Sequence, residues 1–325
     1  MLFILCVLFF NKEVRKMKDT IVRATDGELI QLGGLSDEQL LRLRYEEEKA
    51  CSLKAKNMPP FSDERREYLR KVYTYVEELQ QYDKERKGIV ERSMGVDLNS
   101  IRLVLNRIRY HQKKFPHNDP LVVFEAGCGY GNALERIAQL DHVQAIGCDV
   151  YLTEEIRSLQ KQNVIQAYEG EVYTVLEQLK DESIDIFYAD NVLEHLFRNE
   201  LDETLKLLYR KMKKGGEVIA IIPNRYTGPH DISKYFVPRG SEAEGLHFSE
   251  MRFAEFYELT TKMGWKYKTA VFQLLKGPFF CLKDGKGKKT LRKAKWEPAF
   301  GNQKSRFLQK FWFKVMAYSV YVMEK

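Results

Sequence analysis

Phe124-Glu125-Ala126-Gly127-Cys128-Gly129-Tyr130-Gly131-Asn132 is the stretch on which the reading of this chain turns. It follows a continuously apolar run, Leu121-Val122-Val123-Phe124, and leads into a helical pattern marked by Leu134, Ile137 and Ala138. A strand that passes through a glycine-rich turn into a helix leaves backbone N–H groups unpaired at the helix start, where they face a ligand. Gly127 suits the tight first turn because it adopts backbone angles that other residues avoid. Gly129 and Gly131 leave no Cβ between main chain and ligand. The spacing is G-x-G-x-G. A dinucleotide fingerprint, G-x-G-x-x-G, needs glycine at position 132, where this chain has Asn132; that speaks against a nicotinamide dehydrogenase.

Working outward, short apolar runs begin near Leu121, Val143, Val164, Ile184 and Val218, and a helical pattern fills each gap. Strands alternating with helices at this spacing predict βαβ units and a parallel sheet. Runs such as Val218-Ile219-Ala220-Ile221-Ile222 are apolar without alternation, as strands covered on both faces are. Beyond the fifth run, Ser249 is expected to cap a helix reaching about Met263, with Gly264 at its end. Residues 266–275 and 317–323 read as a closing antiparallel pair, separated by a long insertion at about 276–312.

Before Pro120 the texture is helical. Ser36-Asp37-Glu38-Gln39 is a capping box, Pro59-Pro60 ends the first helix, and Ser62 opens a second. Leu69, Val72, Tyr73, Val76, Leu79 and Tyr82 form one apolar stripe on that second helix. A third covers about 100–113. The expected organisation is a tail over 1–16, a helical cap or extension over 17–115, and an α/β domain over 116–325.

The chain has 325 residues, 44% hydrophobic and 30% charged, with only 20 glycines and 9 prolines. That composition supports a sizeable core and excludes collagen-like, disordered and multi-span membrane classes. Five cysteines, none in a CxxC pair, point to a reducing compartment and a cytoplasmic location. No Cys/His group has zinc-ligand spacing, so no metal is expected. Between Lys283 and Lys295 seven basic residues face Asp284 alone, so this run holds six of the seven units of net positive charge. Such a run reads first as a solvated, mobile loop, and alternatively as a landing site for phosphate, anionic lipid or an acidic substrate. Met1 and Phe10 bound an unbroken apolar run, MLFILCVLFF, too short to span a bilayer. The readings open there are a mis-assigned start with Met17 as the true one, a packed or peripherally membrane-touching tail, and an anchor.

With Glu125 two residues before the first glycine, the quoted stretch resembles the first motif of the class I S-adenosylmethionine-dependent methyltransferases. Cys148-Asp149 at the end of the second strand stands where that family places the acid that accepts from both ribose hydroxyls. Gly170-Glu171, Asp190-Asn191-Val192-Leu193-Glu194-His195 and Lys213-Lys214-Gly215-Gly216 stand at later family positions. The resemblance spans about 120–275. It implies a Rossmann-like class I α/β sheet, mostly parallel with an antiparallel last strand, carrying a helical N-terminal extension. It implies S-adenosyl-L-methionine as cofactor, held by Glu125, Gly127, Cys128, Gly129, Gly131, Asp149, Val150, Glu171, Asp190 and Asn191. Glu171 departs from the family's commoner aspartate.

The activity so implied is methyl transfer to an oxygen or nitrogen nucleophile of a small-molecule or glycan-type acceptor. A protonated nucleophile needs a base, and a positioned one contributes ~10²–10⁴-fold. His247 and His230, on loops beyond the fifth strand, are the expected catalytic residues, with His195 as a further candidate whose other reading is structural. The alternatives are an RNA or protein methyltransferase tethered by the basic insertion, and a catalytically silent fold acting as a binding subunit.

Overall fold

The computed structural model describes residues 20–88, 98–114, 119–273, 277–283, 286–301 and 318–325. The expectations for the tail over 1–16, and for part of the insertion, fall outside them. A two-stranded antiparallel hairpin, β1 (Thr20–Val22) and β2 (Leu29–Gln31), precedes helices α1 (Asp37–Lys56) and α2 (Asp63–Arg86). Both helix starts are where the caps put them. Ser36 accepts from the Gln39 N–H while the Gln39 side chain accepts from the Ser36 N–H, and Ser62 accepts from the Arg65 N–H. The predicted stripe of α2 is buried at Leu69, Val72, Val76, Leu79 and Tyr82, against Leu40, Cys51 and Ala55 of α1.

Helix α3 (Leu98–Lys114) precedes the expected boundary at 115 yet packs on the α/β body. Ile101, Val104 and Ile108 share a core with β3 (Leu121–Ala126) and with Ile219 and Ile221. Then follow α4 (Asn132–Ala138), β4 (Val143–Asp149), α5 (Glu154–Lys161), β5 (Gln166–Glu169), α6 (Val172–Gln178), β6 (Ile184–Asp190), α7 (Arg198–Lys211) and β7 (Met212–Pro223). Helix α8 (Phe253–Lys262), β8 (Lys266–Gln273), β9 (Phe279–Lys283), α9 (Lys288–Gly301) and β10 (Tyr318–Glu324) complete the chain.

The eight-stranded sheet has the order β5-β4-β3-β6-β7-β10-β8-β9. The first five positions are parallel, and β10 lies antiparallel between β7 and β8. Both faces are buried, as the unalternating apolar runs require: Phe124 and Ala126 point into one core layer, Val123 into the other. The chain winds outward from β3 through β4 and β5, then returns to β3's other side with β6. Strand ends diverge at such a reversal and open a crevice at the carboxyl edge, where open α/β sheets bind ligands.

Three sequence expectations need correction. Ser249 does not cap α8; its N–H is taken by the Glu194 carbonyl, and the helix starts four residues later, where Glu255 accepts from the Arg252 N–H. The basic run is not a loop throughout. Beyond β9, Lys288–Gly301 is helical, and Lys293 is buried with its ammonium donating to the Val271 carbonyl. The charge pattern concealed this because only one face of α9 is solvated. Finally, β9 pairs with β8 as an added edge strand. No described helix is long and apolar enough to cross a membrane.

Candidate active site

The glycine turn sits at the β3–β6 reversal. Gly127 holds φ of 65°, and a Cβ there would stand 2.3 Å from the Val192 Cγ2, so the turn admits nothing larger. Gly129, at φ of 50°, faces open space. The Asp149 carboxylate reaches back from β4 and accepts from the Gly129 N–H at 2.8 Å, which ties the turn to the neighbouring strand end. Burial raises the Asp149 pKa, while N–H groups of Gly129, Tyr151 and Val150 oppose the rise. Glu125 lies beneath, buried, with one carboxylate oxygen lacking any hydrogen-bond partner. Burial lifts its pKa well above the usual range, and the charges of Asp190 and Asp149 lift it further. Asp190 accepts from the Tyr188 hydroxyl at 3.1 Å and from the Asn191 amide at 2.8 Å, and Asn191 takes the left-handed φ of 55°.

The remaining positions expected to touch the cofactor divide. Gly131 is the N-cap of α4 and packs toward Ile156. The Cys128 side chain turns into the core and its N–H is taken by the Cys148 carbonyl, so it offers a ligand little. Glu171 is paired at 3.3 Å with Arg66 of α2.

That ion pair is one of several contacts by which α2 covers the carboxyl edge. Tyr73 packs edge-on to His195, with ring centroids 5.9 Å apart, and Glu77 accepts from the Tyr130 hydroxyl at 3.3 Å. Positions 66, 73 and 77 fall on one helical face. Helix α1 holds the opposite rim: Lys49 pairs with Glu244 at 2.8 Å, Tyr45 donates to the same carboxylate, and Tyr45 stacks on Phe236 at 4.2 Å. The loop so clamped carries His230 and His247.

These histidines differ. The His230 ring is turned into its own loop, 2.7 Å from the Thr227 hydroxyl and 3.2 Å from the Asn224 carbonyl. Burial lowers its pKa. His247 stands edge-on to His195, with centroids 4.7 Å apart. Its Nδ1 lies 2.6 Å from the Glu250 carboxylate. Burial alone would lower the His247 pKa, but the Glu250 hydrogen bond and the charges of Glu194, Glu250 and Asp231 outweigh it and the pKa is raised. His195 is pushed down to about 3, chiefly by burial, and is neutral at pH 7. Glu194 is fully buried and pushed up to about 8 by that burial. Glu194, His195 and His247 each offer one ligand atom, all within 4.8 Å of one another. Sequence spacing gave no sign of this convergence, since 52 positions separate His247 from His195. Glu250 was missed too, although its place three residues after His247 is a signal for a carboxylate–imidazole pair.

Residues 124–220 match the sequence profile of the methyltransferase domain family. That segment of the chain is a methyltransferase domain. No curated protein matches the chain by sequence. Similar solved structures include a SAM-dependent methyltransferase from Archaeoglobus fulgidus, 17% identical over 69% of this chain and 94% of that one, with a TM-score of 0.41. Another is 1,6-didemethyltoxoflavin-N1-methyltransferase of Burkholderia thailandensis, 12% identical over 83% and 92%, at 0.47. A third is the plantazolicin methyltransferase BpumL, 16% identical over 86% and 99%, at 0.48.

The lining of the site fits S-adenosylmethionine on chemical grounds. Its open floor at Gly129 and its three carboxylates, Glu125, Asp149 and Asp190, suit a cationic nucleoside with a vicinal diol. Asp149→Ala removes a charged acceptor, and hydrogen bonds to charged groups contribute about 1.5–3 kcal/mol. The affinity for S-adenosylhomocysteine should therefore fall ~10–100-fold by calorimetry. An unchanged affinity would remove Asp149 from the site.

Proposed function

We propose that the enzyme methylates an oxygen or nitrogen nucleophile of a small, discrete acceptor, a metabolite or sugar precursor, held between the carboxyl edge of the sheet and the α1–α2 cap. The observation that carries this reading is the enclosure of the His195–His247 pair. Tyr73 closes it from α2, the Leu246 carbonyl and Glu250 close it from the loop, and the Phe197–Phe248 stack, with centroids 3.9 Å apart, seals the cap's core beside it. A histidine pair closed in from the cap and from the loop suits an acceptor that can be surrounded, whereas a polymer needs an open channel.

When bound, S-adenosylmethionine supplies a methyl group on a sulfonium sulfur. The chain's part is to align and to manage a proton. Asp149 and the glycine turn set the ligand's position, and alignment of two reactants contributes ~7–11 kcal/mol in favourable cases. The carboxylates of Asp149 and Asp190 favour the cationic over the neutral form of what lies in the cradle. His247 is the group on which activation of the acceptor's O–H or N–H rests, its ring oriented by Glu250. His230, engaged within its own loop, reads as a residue that holds the loop.

The basic segment starts at the far edge of the sheet, with Lys283 on β9, and α9 then turns back toward β7, where Glu297 accepts from the Asn224 side chain and the Phe253 N–H. Lys293, the buried lysine of that helix, is spent on the Val271 carbonyl.

A screen of acceptors with methyl-labelled cofactor tests the reading: label should appear in a small molecule, and label only in RNA or protein would overturn it. The cap assignment has its own check. Limited proteolysis between α1 and α2 should slow when S-adenosylhomocysteine and acceptor are present; equal cleavage rates would make these helices a separate interaction module.

A further inference from the structure

We infer that Glu194, His195 and His247 form a binding site for one divalent first-row transition-metal ion. The inference rests on reading the His247 end of the recess as the acceptor end, and it deepens that reading. Four observations converge.

Glu194 has none of its surface exposed, and neither carboxylate oxygen receives a hydrogen bond from another described residue. A buried carboxylate without partners costs several kcal/mol unless it is neutralised or ligated.

Both imidazoles are oriented through Nδ1. That of His195 lies 3.0 Å from the Leu246 carbonyl, and that of His247 lies 2.6 Å from Glu250. With each Nδ1–H donated, Nε2 keeps its lone pair. Histidines that bind metals are held in this way, by a carbonyl or carboxylate on the other nitrogen.

The spacing fits. Ligand atoms on an ion at ~2.1 Å stand ~3.4 Å apart in a tetrahedron, and ligand atoms of the three residues already lie within 4.8 Å of one another.

The cluster is also built rather than incidental. Glu194 and His195 are neighbours in a 3-10 turn, Leu193–His195, immediately beyond β6, and the loop bearing His247 is tied to that turn by the Ser249 N–H donating to the Glu194 carbonyl at 2.9 Å.

Two imidazoles and one carboxylate suit zinc, iron, cobalt or manganese better than magnesium or calcium, which prefer all-oxygen sites. Three protein ligands leave coordination positions for water or for the acceptor's heteroatom. In that arrangement His247 serves as a ligand, and the ion rather than a free imidazole acidifies the acceptor's hydroxyl.

The test uses the full chain, stripped with a chelator and titrated with Co²⁺ alone, followed by Zn²⁺ competition and elemental analysis. One ion per chain is expected, with visible d–d absorption that zinc abolishes. Glu194→Gln should weaken Co²⁺ binding at least tenfold, and Glu250→Gln, acting through the His247 ring, ~10–100-fold. Affinity for S-adenosylhomocysteine, measured on the same samples, should stay within about twofold and certifies that the variants are folded. Wild-type protein that takes up no Co²⁺ or Zn²⁺, or a Glu194→Gln variant that binds as tightly as wild type, overturns the metal site. Loss of S-adenosylhomocysteine binding in wild type with metal uptake intact would count against the cofactor site alone.

Discussion

Replacing His247 by alanine is expected to lower turnover ~10²–10⁴-fold, the range for a group that moves or acidifies a reacting proton, while S-adenosylhomocysteine binds as before. The split follows from geometry. His247 sits on the loop after β7 and is oriented by Glu250, whereas the proposed cofactor cradle is built from the ends of β3, β4 and β6. Among the described residues, no hydrogen bond, ion pair or ring contact joins His247 to Gly129 or Asp149. Kinetics with the identified acceptor and calorimetry with S-adenosylhomocysteine separate the two effects. A variant that turns over normally would exclude His247 from the chemistry both as base and as metal ligand. Joint loss of binding and turnover would make it part of the fold's support.

The second large effect concerns stability. Arg107 of α3 and Glu217 of β7 are both buried and form a two-point ion pair, Nε to Oε2 at 3.0 Å and Nη2 to Oε1. The guanidinium also lies over the Tyr110 ring, 4.5 Å from its centroid. Removing one partner leaves the other charge buried and alone, which costs about 3–5 kcal/mol. Arg107→Ala should therefore lower unfolding free energy by that amount in a denaturant titration. The double variant Arg107→Met/Glu217→Leu should recover most of it, because no charge is then stranded and the volume stays filled. A single variant within about 0.5 kcal/mol of wild type would mean that water reaches the site and screens Glu217.

Much of the fold was legible because it depends on local chemistry. Ser36 with Gln39, and Ser62, start helices wherever a hydroxyl meets free N–H groups. Apolar runs without alternation make doubly covered strands. The glycine turn and the acid tied to it were legible for the same reason, since Gly127, Gly129 and Asp149 lie at strand ends that the pattern already located. The basic run misled because charge counts describe solvation in general. They do not reveal that Lys293 turns inward onto Val271 while its neighbours face water.

By itself, then, the chain's order of residues determined the parallel βαβ body, the two N-terminal helices and the glycine elbow with its acid. Each follows from contacts within a few residues or from a period in hydrophobicity. Only the tertiary structure decided that α3 joins the sheet, that α2 spans the strand ends through Arg66, Tyr73 and Glu77, and that His247 comes to rest against Glu194 and His195. Those pairings join residues tens to over a hundred positions apart. Their partners are chosen by which faces the packed layers bring together, and no local pattern records that choice.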